Sequence, residues 1–219
     1  MSDSVDESYK VARYRTEQER FWAGEFGTEY IGRNQNASIV AANLALFAQA
    51  LRGARGIESC LEFGANIGLN LRALRQLLPH ASLGGIEINE EACSALRCWL
   101  DASGGGQAHH ASILEFCPPS AVDLVLVKGV LIHISPDELP LLYEKLVQAS
   151  KRYVLVAEYY NPTPLAVPYR GHGERLFKRD FVGEMMDRHR DLRLIDYGFV
   201  YHRDPLFPQD DLTWFQLEK

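Results

Sequence analysis

From residue 57 onward the apolar positions alternate between short runs and longer periodic stretches. Residues 57–63 read as a strand, 68–78 as a helix with Leu69, Leu71, Leu74, Leu77 and Leu78 along one face, and 82–88 as a second strand. The pattern continues with a helix over 90–100, a short strand at 107–110, a strand at 122–127, a helix over 136–150 and a strand at 152–158. Strands alternating with helices predict a parallel sheet wrapped by helices on both faces. The last quarter changes rhythm: 180–190 is helical, then 192–201 and 212–217 read as two strands joined by a Pro- and Asp-rich loop, close enough to pair antiparallel. Before the sheet, residues 1–10 read as disordered, and Arg15 to Ala23 and Ile39 to Leu51 read as helices, with Asn36 or Ser38 as N-cap of the second. The expected organisation is one structural unit, with a helical cap over 1–56 and the sheet domain over 57–219.

The first strand ends in Glu62-Phe63-Gly64-Ala65-Asn66-Ile67-Gly68, a glycine turn between a strand and a helix. That is the position of a nucleotide-binding turn in a Rossmann-like α/β unit. A dinucleotide fingerprint needs Gly-x-Gly-x-x-Gly so that a pyrophosphate can sit on the helix N-terminus; here Asn66 falls between Gly64 and Gly68. Glu62 at the strand end would repel a phosphate and attract an ammonium. The turn therefore suits a cationic ligand passing close to the Gly64 backbone, and S-adenosylmethionine (SAM) is such a ligand. Glu87 ends the second strand 25 residues after Glu62, near the spacing of about 20 at which an acid meets ribose hydroxyls. Asn66 and Gly68 complete the turn, and Ile88 follows the acid.

Composition narrows the partners. The 219 residues are 47% hydrophobic, enough for one large core, and the net charge is −6. A nonspecific nucleic-acid binder would need an excess of Lys and Arg, so a small molecule is the expected partner. Cys60, Cys93, Cys98 and Cys117 form no Cys-x-x-Cys pair and have no matching His spacing, which suggests neither a metal site nor a disulfide framework. The acidic, polar N-terminal residues are unlike a signal peptide, and no apolar stretch approaches a membrane span. A cytoplasmic protein without membrane contact is expected, its oligomeric state left open.

Further motifs surround this core: Phe21-Trp22-Ala23-Gly24-Glu25-Phe26-Gly27-Thr28-Glu29-Tyr30-Ile31-Gly32-Arg33-Asn34, Lys128-Gly129-Val130-Leu131-Ile132-His133-Ile134, Ala157-Glu158-Tyr159-Tyr160-Asn161-Pro162-Thr163-Pro164 and Arg175-Leu176-Phe177-Lys178-Arg179-Asp180-Phe181. With the glycine turn, they closely resemble the pseudaminic acid biosynthesis-associated methylases, a branch of the class I SAM-dependent methyltransferases, over nearly the whole chain. The resemblance implies a seven-stranded sheet with an antiparallel C-terminal hairpin, SAM as cofactor and an acceptor in a sugar pathway. It also implies that the Lys128 carbonyl faces the ammonium group of SAM. Many class I enzymes place an acid after the third strand to meet the adenine amino group; this chain has Ala111-Ser112-Ile113-Leu114-Glu115, so Ser112 and the Ile113 backbone are the adenine candidates.

Ligands of open α/β sheets lie beyond the carboxyl ends of the strands. Arg33 is the candidate partner of the methionine carboxylate, whereas Trp22, Phe26 and Tyr30 read as packing of the cap. The segment after the fifth strand is too long for a simple turn and reads as a lid or binding loop. Its Tyr159, Tyr160, Asn161, Tyr169, Arg170, Arg175 and Lys178 are expected to hold the acceptor, and the cations suit an anionic one. His133 and His172 are the candidate general bases if the acceptor is a hydroxyl. Two other readings compete: a fold that binds SAM without transferring a methyl group, and a nicotinamide-dependent sugar oxidoreductase, which the glycine spacing opposes.

Overall fold

The structure is a computed structural model that describes residues 14–33, 36–169 and 172–219; the expectation for residues 1–10 lies outside them. Three helices open the described chain: α1 (Glu17–Ala23), α2 (Glu25–Arg33) and α3 (Ala37–Ala50). The alternating region follows as β1 (Ser59–Phe63), α4 (Leu69–Leu77), β2 (Ser82–Glu87), α5 (Glu90–Ala102), β3 (Gln107–His110), β4 (Val122–Lys128), α6 (Leu139–Ala149) and β5 (Ser150–Glu158). Next come β6 (Leu165–Tyr169), β7 (His172–Lys178), α7 (Phe181–Arg188), β8 (Arg193–Val200) and β9 (Leu212–Glu218). Seven strands form one sheet in the order β3-β2-β1-β4-β5-β9-β8. The first five are parallel, while β9 runs antiparallel between β5 and β8.

The period of two along the central strands sorts the core into two layers. Leu61, Phe63, Val125, Val127, Val154 and Val156 pack on one face with Leu142 and Leu146 of α6 and Phe181 and Met185 of α7. Cys60, Leu124, Leu126 and Leu155 pack on the other with Leu46 and Phe47 of α3, Leu71 and Leu74 of α4, and Leu96 and Leu100 of α5. Each large apolar side chain buried this way contributes about 1.5–3 kcal/mol, so the sheet is held by helices on both faces, as the alternation predicts. Among the described residues, no helix is long and apolar enough to cross a membrane.

The structure departs from the expected elements in three places. The glycine-containing stretch after Ala23 is a second helix, α2; Gly24 interrupts α1 with an extended backbone (φ −92°, ψ −157°), and a new helix starts one residue later. The expected helix at 136 begins at Leu139, because Leu131–His133 instead forms a 3₁₀ turn behind β4. The expected binding loop after β5 is a separate β6–β7 hairpin, with Ala166 opposite Phe177 and Val167 opposite Leu176. Leu176 is buried in the first core layer, and Val167 packs against that layer.

Gly85 in β2 marks a close approach: a Cβ there would lie 2.7 Å from the Ala65 Cβ and 2.8 Å from Leu96 Cδ2. Replacing it by valine overfills the contact between the turn after β1 and α5. Gly85→Val is expected to lower unfolding stability in urea by about 1–3 kcal/mol, whereas Ser82→Val on the exposed start of the same strand changes it by less than about 0.5 kcal/mol.

Candidate functional site

The turn after β1 is fixed to β2 by backbone bonds. The N–H groups of Gly64 and Ala65 both donate to the Ile86 carbonyl at 2.9 Å, and the Asn66 N–H donates to Glu87 Oε2 at 2.8 Å. Gly64 (φ +76°) and Gly68 (φ +81°) are left-handed, and so is Asn66 (φ +48°). Asn accepts that conformation more readily than other side-chain-bearing residues, and its Oδ1 accepts from the Ile67 N–H at 2.7 Å. This explains how the turn closes with asparagine where a glycine-rich fingerprint has another glycine.

The turn borders a cavity of about 430 Å³ at the carboxyl ends of β1, β2 and β4. Of the residues expected from the sequence, Gly64, Asn66, Glu87, Ile88, Ser112, Ile113, Lys128 and His133 line it. Gly68 does not; it is the N-cap of α4. Glu62 is buried and hydrogen-bonded to the lining residue Asn70, whose Nδ2 donates to Glu62 Oε1 at 2.5 Å. Glu62 Oε2 is buried with no hydrogen-bond partner among the described residues. Burial pushes the Glu62 carboxyl up to about 8, against the lowering influence of Asn70 and Lys128.

Glu87 has two structural tasks besides facing the cavity. Its Oε1 accepts from the Asn89 N–H at 2.7 Å while Oε2 holds Asn66. Loss of its carboxylate would therefore also release the turn. Burial raises its carboxyl, and the backbone donors pull it back down. Glu158 works in the same way after β5, accepting from the Val130 and Leu131 N–H groups at 2.8 and 2.9 Å. It thereby fixes the loop that carries Val130 and His133, with its own carboxyl pushed up to about 7 by burial.

Both adenine candidates, Ser112 and Ile113, line the cavity. Ser112 lines the cavity, but its hydroxyl donates to Glu19 Oε1 and accepts from the Leu114 N–H at 3.0 Å. Its hydroxyl fastens α1 to the loop after β3 and keeps one lone pair for a further donor. Glu19 closes a capping box with Thr16 and accepts the Thr16 and Arg15 N–H groups at 3.1 and 2.6 Å. Asn89 adds a second clamp: its Oδ1 caps α5 through the Ala92 N–H at 3.1 Å, and its Nδ2 reaches the Gly24 carbonyl at 3.3 Å and Thr28 Oγ1 at 3.2 Å. The helical cap is thus bolted across the cavity, which Gln18, Glu19, Trp22, Gly27 and Tyr30 line. Trp22 and Tyr30 stand edge-to-face at 5.3 Å, and Trp22 meets the His133 ring at 4.7 Å. These two aromatics form cavity wall as well as cap packing, a correction to the sequence reading; Phe26 is not among the lining residues.

The expected acceptor residues lie elsewhere. Tyr160 is exposed with its ring 6.1 Å from Phe215, Asn161 Nδ2 donates to the Thr163 carbonyl at 2.5 Å, and Lys178 Nζ sits over the Tyr159 ring at 4.8 Å. None of these four lines the cavity. Arg170 and the side chains of Arg33, Tyr169, His172 and Arg175 lie outside the described residues. The remaining wall comes from two places with no sequence motif: Ile39, Ala42 and Asn43 of α3, and Pro208, Gln209 and Asp210 between β8 and β9. The two are joined, since Gln209 Nε2 donates to the Ala42 carbonyl at 2.8 Å. Of the missed residues Glu19 and Asn89 had a readable signal, the capping box Thr16-Glu17-Gln18-Glu19 and the N-cap asparagine before Glu90-Glu91.

No family model and no curated protein sequence matches the chain. Solved structures do. A SAM-dependent methyltransferase from Leishmania major aligns at TM-score 0.69 and 17% identity, over 98% of this chain and 90% of that one. Mitomycin 7-O-methyltransferase aligns at 0.69 and 14%, over 97% of this chain and 63% of that longer one. Magnesium protoporphyrin IX methyltransferase from Synechocystis, solved with bound SAM, aligns at 0.61 and 14% over the full length of both. The chain has the class I methyltransferase fold. These likenesses do not reach the narrower family that the motifs resemble.

The raised Glu62 carboxyl has a consequence for stability. The folded protein holds this proton up to about pH 8, whereas the unfolded chain releases it near the ordinary value of 4.5, so this group's contribution to stability falls as pH rises between those values. Glu62→Gln removes that dependence. The difference in urea midpoint between Glu62→Gln and wild type is expected to move in favour of the variant from pH 5 to pH 8; a difference constant across that window would contradict the assignment.

Proposed function

We propose that the protein is a SAM-dependent methyltransferase acting on O or N of a small, polar, anionic, sugar-like metabolite. The observation that carries this reading is the capped cavity in which the Gly64 turn and Glu87 meet, with the unpartnered Glu62 oxygen behind Asn70. SAM would supply a methyl group on a sulfonium, and the residues fit such a cationic nucleoside. Glu19, Glu87 and Asp210 give the walls acidic character. Each Glu87 oxygen holds one backbone N–H and keeps a second lone pair for a ribose hydroxyl. The bare backbone at Gly64 allows close approach of the methionine portion.

The chain's own contribution to the reaction is placement and exclusion of water. Orientation of two reactants can supply roughly 7–11 kcal/mol, and here the clamped cap closes the site from one side. At the end formed by Val130, His133 and Ile134, β7 packs on the 3₁₀ turn Leu131–His133. The hairpin that carries Lys178 therefore borders the wall against which an acceptor would rest, and this neighbourhood supports an anionic acceptor. With a hydroxyl acceptor, His133 is the described group suited to take the proton; with a neutral amine no base is required.

The test is transfer of label from methyl-labelled SAM to sugar nucleotides, nonulosonic acids and amine metabolites. Label in an anionic sugar is the expected result. Label found only in neutral or cationic amines would overturn the acceptor class, and no transfer to any acceptor despite SAM binding would favour a binding protein over an enzyme. Glu87→Gln, which leaves one backbone N–H without its acceptor, is expected to weaken binding of S-adenosylhomocysteine about tenfold or more by calorimetry.

A further inference from the structure

The apolar surface of the protein is not spread evenly. Among the described residues, every large hydrophobic side chain that is exposed lies within 160–165 or 194–207, and β8 with the loop behind it carries most of them. Tyr197 is 65% exposed, Phe199 57% and Leu206, in that loop, 76%. Single exposed hydrophobics are ordinary, but a contiguous patch marks a contact surface.

Strand register places the patch. Tyr197 pairs with Phe215 and Phe199 with Thr213. Phe215 packs against the first core layer, so Tyr197 and Phe199 stand on that face of the sheet. Helices α6 and α7 cover the face over the central strands and leave these two rings bare. The aromatics form a row: Tyr160 and Tyr197 lie 6.1 and 6.3 Å from Phe215, and Phe199 lies 6.3 Å from Tyr201. β8 is also the edge of the seven-stranded sheet, so its outer backbone groups have no strand partner among the described residues. Proteins ordinarily blunt such an edge with charges or a bulge. Here Arg193, Asp196 and the irregular pairing between Leu194 and Asp196 do so only at its start. From Tyr197 to Tyr201 no side chain is charged.

We propose that this surface is a homodimer interface, in which the β8 strands of two copies meet antiparallel about a two-fold axis and continue the sheet across the pair. Three features select a second copy. The uncharged row offers nothing to the phosphates of nucleic acid or of an anionic membrane, which Lys and Arg meet. An antiparallel edge is complementary to itself, because two residues that lie opposite exchange the same pair of hydrogen bonds. The area also suits: Tyr197, Phe199, Tyr201 and Phe207, about half exposed, present roughly 400 Å². Leu194, Ile195, Leu206 and the strand edge extend this toward the about 800 Å² per partner of a stable interface. The loop behind β8 also carries Pro208, Gln209 and Asp210 of the cavity wall, so the interface is continuous with one side of the site. The inference does not depend on what the cavity binds.

Sedimentation equilibrium of the full chain over a concentration series tests it. Wild type is expected to approach twice the 24.7 kDa chain mass. The double variants Tyr197→Asp/Phe199→Asp and Tyr197→Lys/Phe199→Lys set like charges on both sides of the axis, and each is expected to weaken self-association about tenfold or more. Mixed in equal amounts, the Asp and Lys variants are expected to recover the dimer, because each patch then meets the opposite charge. Both positions are exposed, so the variants should keep the wild-type urea midpoint; Tyr197→Asp and Tyr197→Lys alone serve if a double variant loses it. Wild type that stays monomeric overturns the proposal, and binding of that monomer to zwitterionic lipid vesicles would assign the patch to a membrane surface instead. A dimer that survives both double variants places the interface elsewhere. Variants that remain monomeric when mixed place the patch against a different surface of the second copy, and either result overturns the proposal.

Discussion

The site depends on carboxylates buried at the carboxyl ends of neighbouring strands. Glu87 and Glu158 each accept two or more backbone N–H groups from the loops beside them. Burying a carboxylate is costly unless donors meet it, and here backbone donors of mobile-length loops are recruited to do so. The cost of burial is thereby converted into loop order: the glycine turn is fixed by Glu87, and the turn carrying Val130 and His133 by Glu158. Glu62 and Glu158 each keep one buried oxygen without a hydrogen-bond partner among the described residues, and the other Glu62 oxygen has Asn70.

The second constraint is closure. An open α/β sheet presents its ligand crevice to solvent, and a cofactor bound only to strand ends would remain exposed on one side. The N-terminal helices supply the missing wall, and the contacts that hold them are specific: Glu19 to Ser112 and Asn89 to the α1–α2 junction. Gly27 shows how tightly that junction is packed, because a Cβ there would overlap the Trp22 carbonyl. The same residues that bind the cap to the sheet, Glu19, Asn89 and Ser112, also line the cavity.

Much of this was legible in the sequence because it rests on short-range pattern. The alternation of strands and helices, the Gly64 turn, Glu87 at the end of the second strand and Asn36 as a helix cap are all local signals, and each stands where it was expected. What the sequence did not disclose depends on contacts far apart along the chain. The Ser112 hydroxyl also donates to Glu19, 93 residues away, a contact that no local pattern announces. The α3 and β8–β9 walls carry no motif, and only folding brings Gln209 to Ala42. The segment after Glu158 reads as a loop because of its density of polar residues, whereas it forms a hairpin that pairs Val167 with Leu176 and buries the latter.

The central claim is that this cavity is built for a nucleoside bearing an amino acid head and not for a dinucleotide. Calorimetric titration of the purified protein with S-adenosylhomocysteine, with NAD as the control, tests it most directly. The account predicts stoichiometric micromolar binding of S-adenosylhomocysteine and none of NAD; tight NAD binding, or no response to either ligand, would contradict it.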